Sequence, residues 1–134
     1  MGLLYMLDTN ILSDLIRNPA GNIARRIAEI GEETVGTSVV VACELRFGAR
    51  KKNSKQLLDR VEELLAVLEI LPLDAGVDRH YAEIRASLEA RGTPIGPNDL
   101  LIAAHALALG LTLVTANTAE FSSVHGLPVE NWLV

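Results

Sequence analysis

Leu3-Leu4-Tyr5-Met6-Leu7-Asp8 is the stretch on which the reading of this chain turns. Five apolar residues in a row, cut off by a carboxylate, suit a short strand buried on both faces of a parallel sheet. A polar residue just past such a strand falls where open parallel sheets collect their ligands. Working outward, Asp8 or Thr9 can cap a helix running through residues 14–17, which Asn18-Pro19 stops before a second helical pattern over 21–30. Glu33-Thr34-Val35-Gly36-Thr37 reads as the second strand, after which Ser38 can cap a helix carrying Val39, Val40, Cys43, Glu44 and Phe47.

Leu57, Leu58, Val61, Leu64, Leu65 and Leu68 recur three and four apart, the mark of an amphipathic helix over 54–68. Glu69-Ile70-Leu71-Pro72-Leu73 is expected to be an edge strand, because proline cannot donate within a central ladder. A long helix over 75–91 ends at Gly92. Gly96-Pro97 opens another, apolar nearly all round over 100–109 and therefore expected among the most buried, with His105 inside it. Thr112-Leu113-Val114-Thr115 reads as a fourth strand and residues 127–132 as a fifth. Strands alternating with helices give an α/β domain with a central, mostly parallel sheet of four to five strands flanked by helices. No internal repeat, low-complexity segment or linker interrupts it.

The 134 residues fit one domain spanning 1–134, and 49% hydrophobic content supplies the apolar surface that folding requires. No apolar run reaches the roughly 18 to 20 residues of a spanning helix, so neither a signal peptide nor a membrane anchor is expected. The single Cys43 allows no internal disulfide and is expected to be a small buried side chain; the natural compartment is the cytoplasm. A net charge of −5 argues against nucleic acid only bluntly. Arg46, Arg50, Lys51, Lys52 and Lys55 fall within ten positions and can form a local positive patch, or simply a solvated helix end.

Polar residues at four places distant in sequence converge if the sheet is as read. Asp8 ends the first strand, Glu44 lies a turn beyond the second, Thr115 and Asn117 end the fourth, and Asp99 opens the helix after Pro97. Alone, Asp8 is equally a helix cap and Asp99 a favourable charge in a first turn, worth about 0.3 to 1 kcal/mol. Glu44, between Cys43 and Leu45 on an apolar helix, is poorly explained by solvation. Carboxylates packed together repel unless a cation neutralises them, and an all-oxygen set suits magnesium, with manganese able to substitute, better than zinc. His80, His105 and His125 show no zinc-like pairing, and His105 reads as a core residue. Such a site suits phosphodiester hydrolysis. No phosphate-loop, nucleophile-elbow or dinucleotide fingerprint competes.

Met6-Leu7-Asp8-Thr9-Asn10, Ser38 through Glu44-Leu45 to Gly48-Ala49, Pro94-Ile95-Gly96-Pro97-Asn98-Asp99, and Thr115-Ala116-Asn117 with Glu120-Phe121 occur in this order and spacing. Together they resemble the PIN-domain ribonucleases, most closely the VapC-type toxins of VapBC toxin–antitoxin pairs, over essentially the whole chain. The resemblance implies Asp8, Glu44 and Asp99 as metal-binding acids, with Thr9 and Ser38 as hydroxyls near the metal. It implies RNA cleavage, a homodimer, and a VapB-type antitoxin whose C-terminal segment covers the groove and presents an Arg or Lys to the acids.

One departure stands out. Many PIN domains carry a fourth Asp where this chain has Asn117, as does a branch of the toxin family. Asn keeps an oxygen ligand but loses a charge, which Glu120 recovers if it faces inward rather than lying exposed. The expectation is a magnesium-dependent endoribonuclease in which Asp8, Glu44 and Asp99 hold the metal and Asn117 or Thr115 orients water or phosphate. Arg46, Arg50, Lys51 and Lys52 are weaker candidates for the RNA backbone. The alternatives are a PIN-like RNA-binding or partner-binding module with little turnover, and a phosphoesterase acting on DNA or nucleotides.

Overall fold

Apolar strands separated by amphipathic helices can bury both kinds of surface by stacking helices on the two faces of a parallel sheet. The computed structural model, which describes residues 2–134, has that arrangement. The chain runs β1 (Tyr5–Leu7), α1 (Thr9–Arg17), α2 (Asn22–Ile30), a 3₁₀ turn (Glu32–Thr34), β2 (Val35–Ser38), α3 (Val39–Lys52), α4 (Lys55–Val67) and β3 (Glu69–Leu71). It continues through α5 (Val77–Ala90), α6 (Pro97–Leu109), β4 (Thr112–Val114), α7 (Thr118–Phe121) and β5 (Val129–Glu130). All strand pairs are parallel, in the order β3-β2-β1-β4-β5. Met6 and Leu7 point to opposite faces of β1 and both are fully buried, so helices cover both sides of the sheet centre.

Local chemistry sets most boundaries. Ser38 and Ser54 cap α3 and α4 by accepting from the backbone N–H of Val40 and Leu57. Pro97 occupies the first turn of α6, where its missing N–H costs no helical bond, and Gly110 closes that helix at φ 67°, a left-handed conformation that costs glycine little. Residues 102–106 are buried without interruption, as the apolar run predicts, and His105 is among them. β3 lies at one edge, as Pro72 predicts.

The strands are shorter than the sequence suggests. Glu33 and Thr34 belong to the 3₁₀ turn rather than to β2, and the fifth strand keeps only Val129 and Glu130. α5 starts at Val77, because Gly76 at φ 107° turns the chain just before it. Cys43 is exposed, not buried. Leu45 and Ala49 carry the buried side of α3, and Cys43 falls on the outer side, so the apolar neighbours in sequence misplaced it. Beyond β5, Trp132 meets the Tyr5 ring edge-on at 5.0 Å, lies under the Arg26 guanidinium at 5.3 Å, and donates to Glu130 over 2.9 Å. No helix is long and apolar enough to cross a membrane, among the described residues.

Candidate active site

The strand order reverses direction about β1: the chain builds outward to β2 and β3, then returns to add β4 and β5 on the other side. A crevice opens at such a switch, beyond the carboxyl ends of β1 and β4. Asp8 stands there. Its extended backbone makes it the N-cap of α1, and its Oδ1 accepts from the Thr9 backbone N–H over 2.8 Å. Its Oδ2 accepts from the Thr115 hydroxyl over 2.7 Å, and only 3% of the residue is exposed.

Glu44 reaches the same place from the second turn of α3. Its Oε1 accepts from the Thr9 hydroxyl over 2.6 Å and its Oε2 from the Asn98 amide over 3.3 Å. Asn98 thereby ties the start of α6 to α3, and Asp99 follows it in the first turn of α6. Glu120, in the first turn of α7, is half-buried and near enough to Asp99 to raise its pKa. Glu120 therefore faces inward, while Asn117 is exposed; the Asn117 backbone N–H donates to the Thr115 hydroxyl over 3.0 Å.

None of Asp8, Glu44, Asp99 and Glu120 is ion-paired among the described residues. The cost appears in two carboxyl groups. Burial raises the Asp8 pKa above the ordinary carboxylate range and the Glu44 and Glu120 charges add to it, while the Thr115 hydroxyl and the Thr9 N–H pull the other way. Asp99 is pushed up to about 7, first by burial, then by its hydrogen bond to Glu120 and by the charges of Glu120, Asp8 and Glu44. With its pKa raised to about 7, Asp99 keeps its proton on the acid side of neutrality, which relieves part of the repulsion.

This donor set fits a hard divalent cation. It is all oxygen, unpaired and mutually repelling, with no histidine or thiol bonded to it. As the side chains stand, no three His, Cys, Asp or Glu groups converge at ligating distance among the described residues. Glu44 is engaged by Thr9 and Asn98, and Asp99 is turned to Glu120.

The remaining site candidates separate. Thr9 and Thr115 hold acids directly. Ser38 is fully buried and its hydroxyl is occupied by the Val40 N–H and by His105 Nδ1 at 2.8 Å, so its bonds run into the core rather than to an acid. Arg46 makes a two-pronged pair with Glu62 at 2.9 and 3.0 Å, whereas Arg50, Lys51 and Lys52 are exposed at the end of α3. Two supporting residues escaped the sequence reading: Asn98, and Asn10, whose side-chain oxygen accepts from the Ala116 N–H over 3.0 Å. Both lie within the motifs that carry the resemblance, Asn98 next to Asp99 and Asn10 two residues after Asp8, but neither was assigned a role.

A family model described as the PIN domain matches residues 5–127, which contain all four acids. The chain belongs to the PIN-domain family. Among its PIN-domain relatives, Ribonuclease VapC2 of Rickettsia felis is 38% identical over 132 residues, covering 97% of this chain and 98% of that one. The tRNA(fMet)-specific endonuclease VapC of Shigella flexneri is 37% identical over 129 residues, covering 96% and 97%. Among solved structures, VapBC2 from Rickettsia felis bound to a promoter DNA fragment superposes with a TM-score of 0.90 at 36% identity, covering 97% of this chain and 99% of that chain. DNA-bound VapBC from Salmonella typhimurium gives 0.89 at 37%, covering 97% and 98%. The PIN domain here is thus of the VapC type throughout its length, with the glutamate at 120 turned toward the acids.

Proposed function

We propose that this chain is a magnesium-dependent endoribonuclease and the toxin half of a VapBC-type pair. The observation that carries the reading is the unpaired carboxylate cluster of Asp8, Glu44, Asp99 and Glu120 at the switch point of the sheet. The names of the curated relatives, ribonuclease and tRNA endonuclease, support the substrate class. The relatives solved as toxin–antitoxin complexes support a VapB-type partner, whose basic side chain would neutralise the same acids.

The four carboxylates would hold the cation, magnesium or manganese. When bound, it supplies Lewis-acid polarisation of a phosphate oxygen and cancels the charge that otherwise repels an RNA strand. The protein's own part is preorganisation. Thr115 and the Thr9 N–H fix both oxygens of Asp8, and Thr9 with Asn98 fixes both oxygens of Glu44. Asp99 would give up its proton where the cation is held. Hydrolysis adds water across one P–O ester bond and leaves a phosphate end and a hydroxyl end. Asn117, exposed at the rim, would orient water or phosphate. The active species is a homodimer, which light scattering checks.

The test is cleavage of structured RNAs by purified protein, with magnesium and with EDTA, alongside Asp8→Asn and Asp99→Asn. Cleavage is expected only in the unsubstituted protein with metal; cleavage that survives chelation or either substitution overturns the proposal.

A further inference from the structure

Phe47 is 68% exposed on α3, three residues beyond Glu44. It covers no core, since Leu45 and Ala49 carry the buried side of that helix and Phe47 lies on the opposite side. Lys51 follows four residues later and Arg50 three. The helical rise therefore lays out a ridge about 10.5 Å long that starts at the acid, passes an aromatic face and ends on cations. Among the described residues no carboxylate pairs with Arg50, Lys51 or Lys52, while Arg46 on the flank is occupied by Glu62.

An occupant of this ridge must offer a flat apolar surface and negative charge within a few ångströms of each other. A second copy of the chain is a poor fit. Phe47 is the one large apolar side chain exposed on α3, far less than a stable interface buries, and a twofold contact would bring like charges of Arg50 and Lys51 together. A single nucleic-acid strand fits well, because bases stack on aromatic rings and phosphates follow at the reach of one or two nucleotides.

We infer that Phe47 is the stacking platform for the base next to the cleaved phosphodiester, with Lys51 and Arg50 taking the phosphates beyond it. This rests on the ribonuclease reading above and adds where the strand runs.

The experiment uses the full chain and a single-stranded RNA oligonucleotide that the unsubstituted protein cleaves, with binding followed by anisotropy in EDTA and cleavage followed in magnesium. Phe47→Ala is expected to raise Kd and KM about tenfold or more while kcat changes less, since stacking is lost but the acids are untouched. Phe47→Trp is expected to keep affinity, and its exposed indole emission to be quenched as RNA is added. Lys51→Ala is expected to lower the slope of log affinity against log salt by about 0.7, a change that Phe47→Ala does not produce. Unchanged binding and cleavage by Phe47→Ala, in a wild-type background that cleaves, overturns this inference alone. So does a change of Phe47→Ala in mass or in antitoxin binding with RNA affinity intact, which would assign the ridge to a protein interface. Wild-type protein that binds but does not cleave, together with weaker binding by Phe47→Ala, overturns the ribonuclease reading and leaves the stacking assignment standing.

Discussion

The Thr115 hydroxyl donates to Oδ2 of Asp8 over 2.7 Å, fastening the end of β4 to the end of β1 across 107 positions of sequence. The same hydroxyl accepts from the Asn117 N–H, so one oxygen fixes both an acid and the turn that leads to Glu120.

Removing that oxygen is predicted to damage both stability and activity. Thr115→Val leaves an almost fully buried carboxylate short of a donor, a loss of about 1 to 3 kcal/mol by the usual cost of an unmade buried hydrogen bond. Urea denaturation should show a lower midpoint with an unchanged slope, and RNA cleavage should fall with it. Thr115→Ser keeps the hydroxyl and should retain most of both. A Thr115→Val protein as stable and as active as the parent would show that Asp8 needs no such support.

Asp99 gives the metal-free protein an unusual pH dependence. Its folded pKa of about 7 lies above its ordinary 3.8, so between those values the native state holds a proton that the unfolded chain has released. Stability from this group is complete below about pH 4 and is lost as pH rises toward 7. Magnesium should oppose the loss, raising Tm by several degrees at pH 8 and little at pH 5, because a ligand that binds only the native state stabilises it. Asp99→Asn or Glu120→Gln should flatten the pH dependence and weaken the magnesium effect. Thermal scans in EDTA and in magnesium at both pH values check this; a magnesium shift of equal size at pH 5 and pH 8 would contradict it.

His105 contributes the opposite sign. Its pKa lies below the ordinary 6.5, first because burial disfavours the cation, with the Pro72 backbone and Asp74 opposing. Ser38 Oγ accepts from the Val40 N–H and shares a second hydrogen bond with His105 Nδ1. The folded state therefore resists protonation, and its stability falls as pH drops below 6.5. In an Asp8→Asn, Asp99→Asn background, which removes both raised carboxyl groups, the denaturation midpoint should fall between pH 7 and pH 5. His105→Leu should remove that slope while lowering stability at pH 7, because the Ser38 hydroxyl loses its partner and the helix its fixed cap. A slope unchanged by His105→Leu would assign the acid sensitivity elsewhere.

How far the sequence carried this protein can be judged residue by residue. The apolar run ending at Asp8 was enough for a doubly buried parallel strand, Ser38 and Ser54 for two helix caps, and Pro97 for the start of α6, because each depends on chemistry within a few residues. Asp8, Glu44 and Asp99 could be nominated because a strand end, a carboxylate on an otherwise apolar helix and a helix first turn are local features. The orientation of Glu120 could not be read, since a four-residue helix has too little periodicity to give a face. Cys43 was misplaced for a related reason: its neighbours in sequence are apolar, but its own direction on α3 is set by which side of the helix meets the sheet. Nor could Ser38 be foreseen as a partner of His105, or Asn98 as a partner of Glu44, because those pairs exist only after α6 docks beside α3. Short-range hydrogen bonding and apolar periodicity fixed the elements, their order and the acids on offer. Packing alone decided which acids share charge and which hydroxyls hold them, because the Coulomb and hydrogen-bond terms depend on distances between segments that the linear chain leaves free.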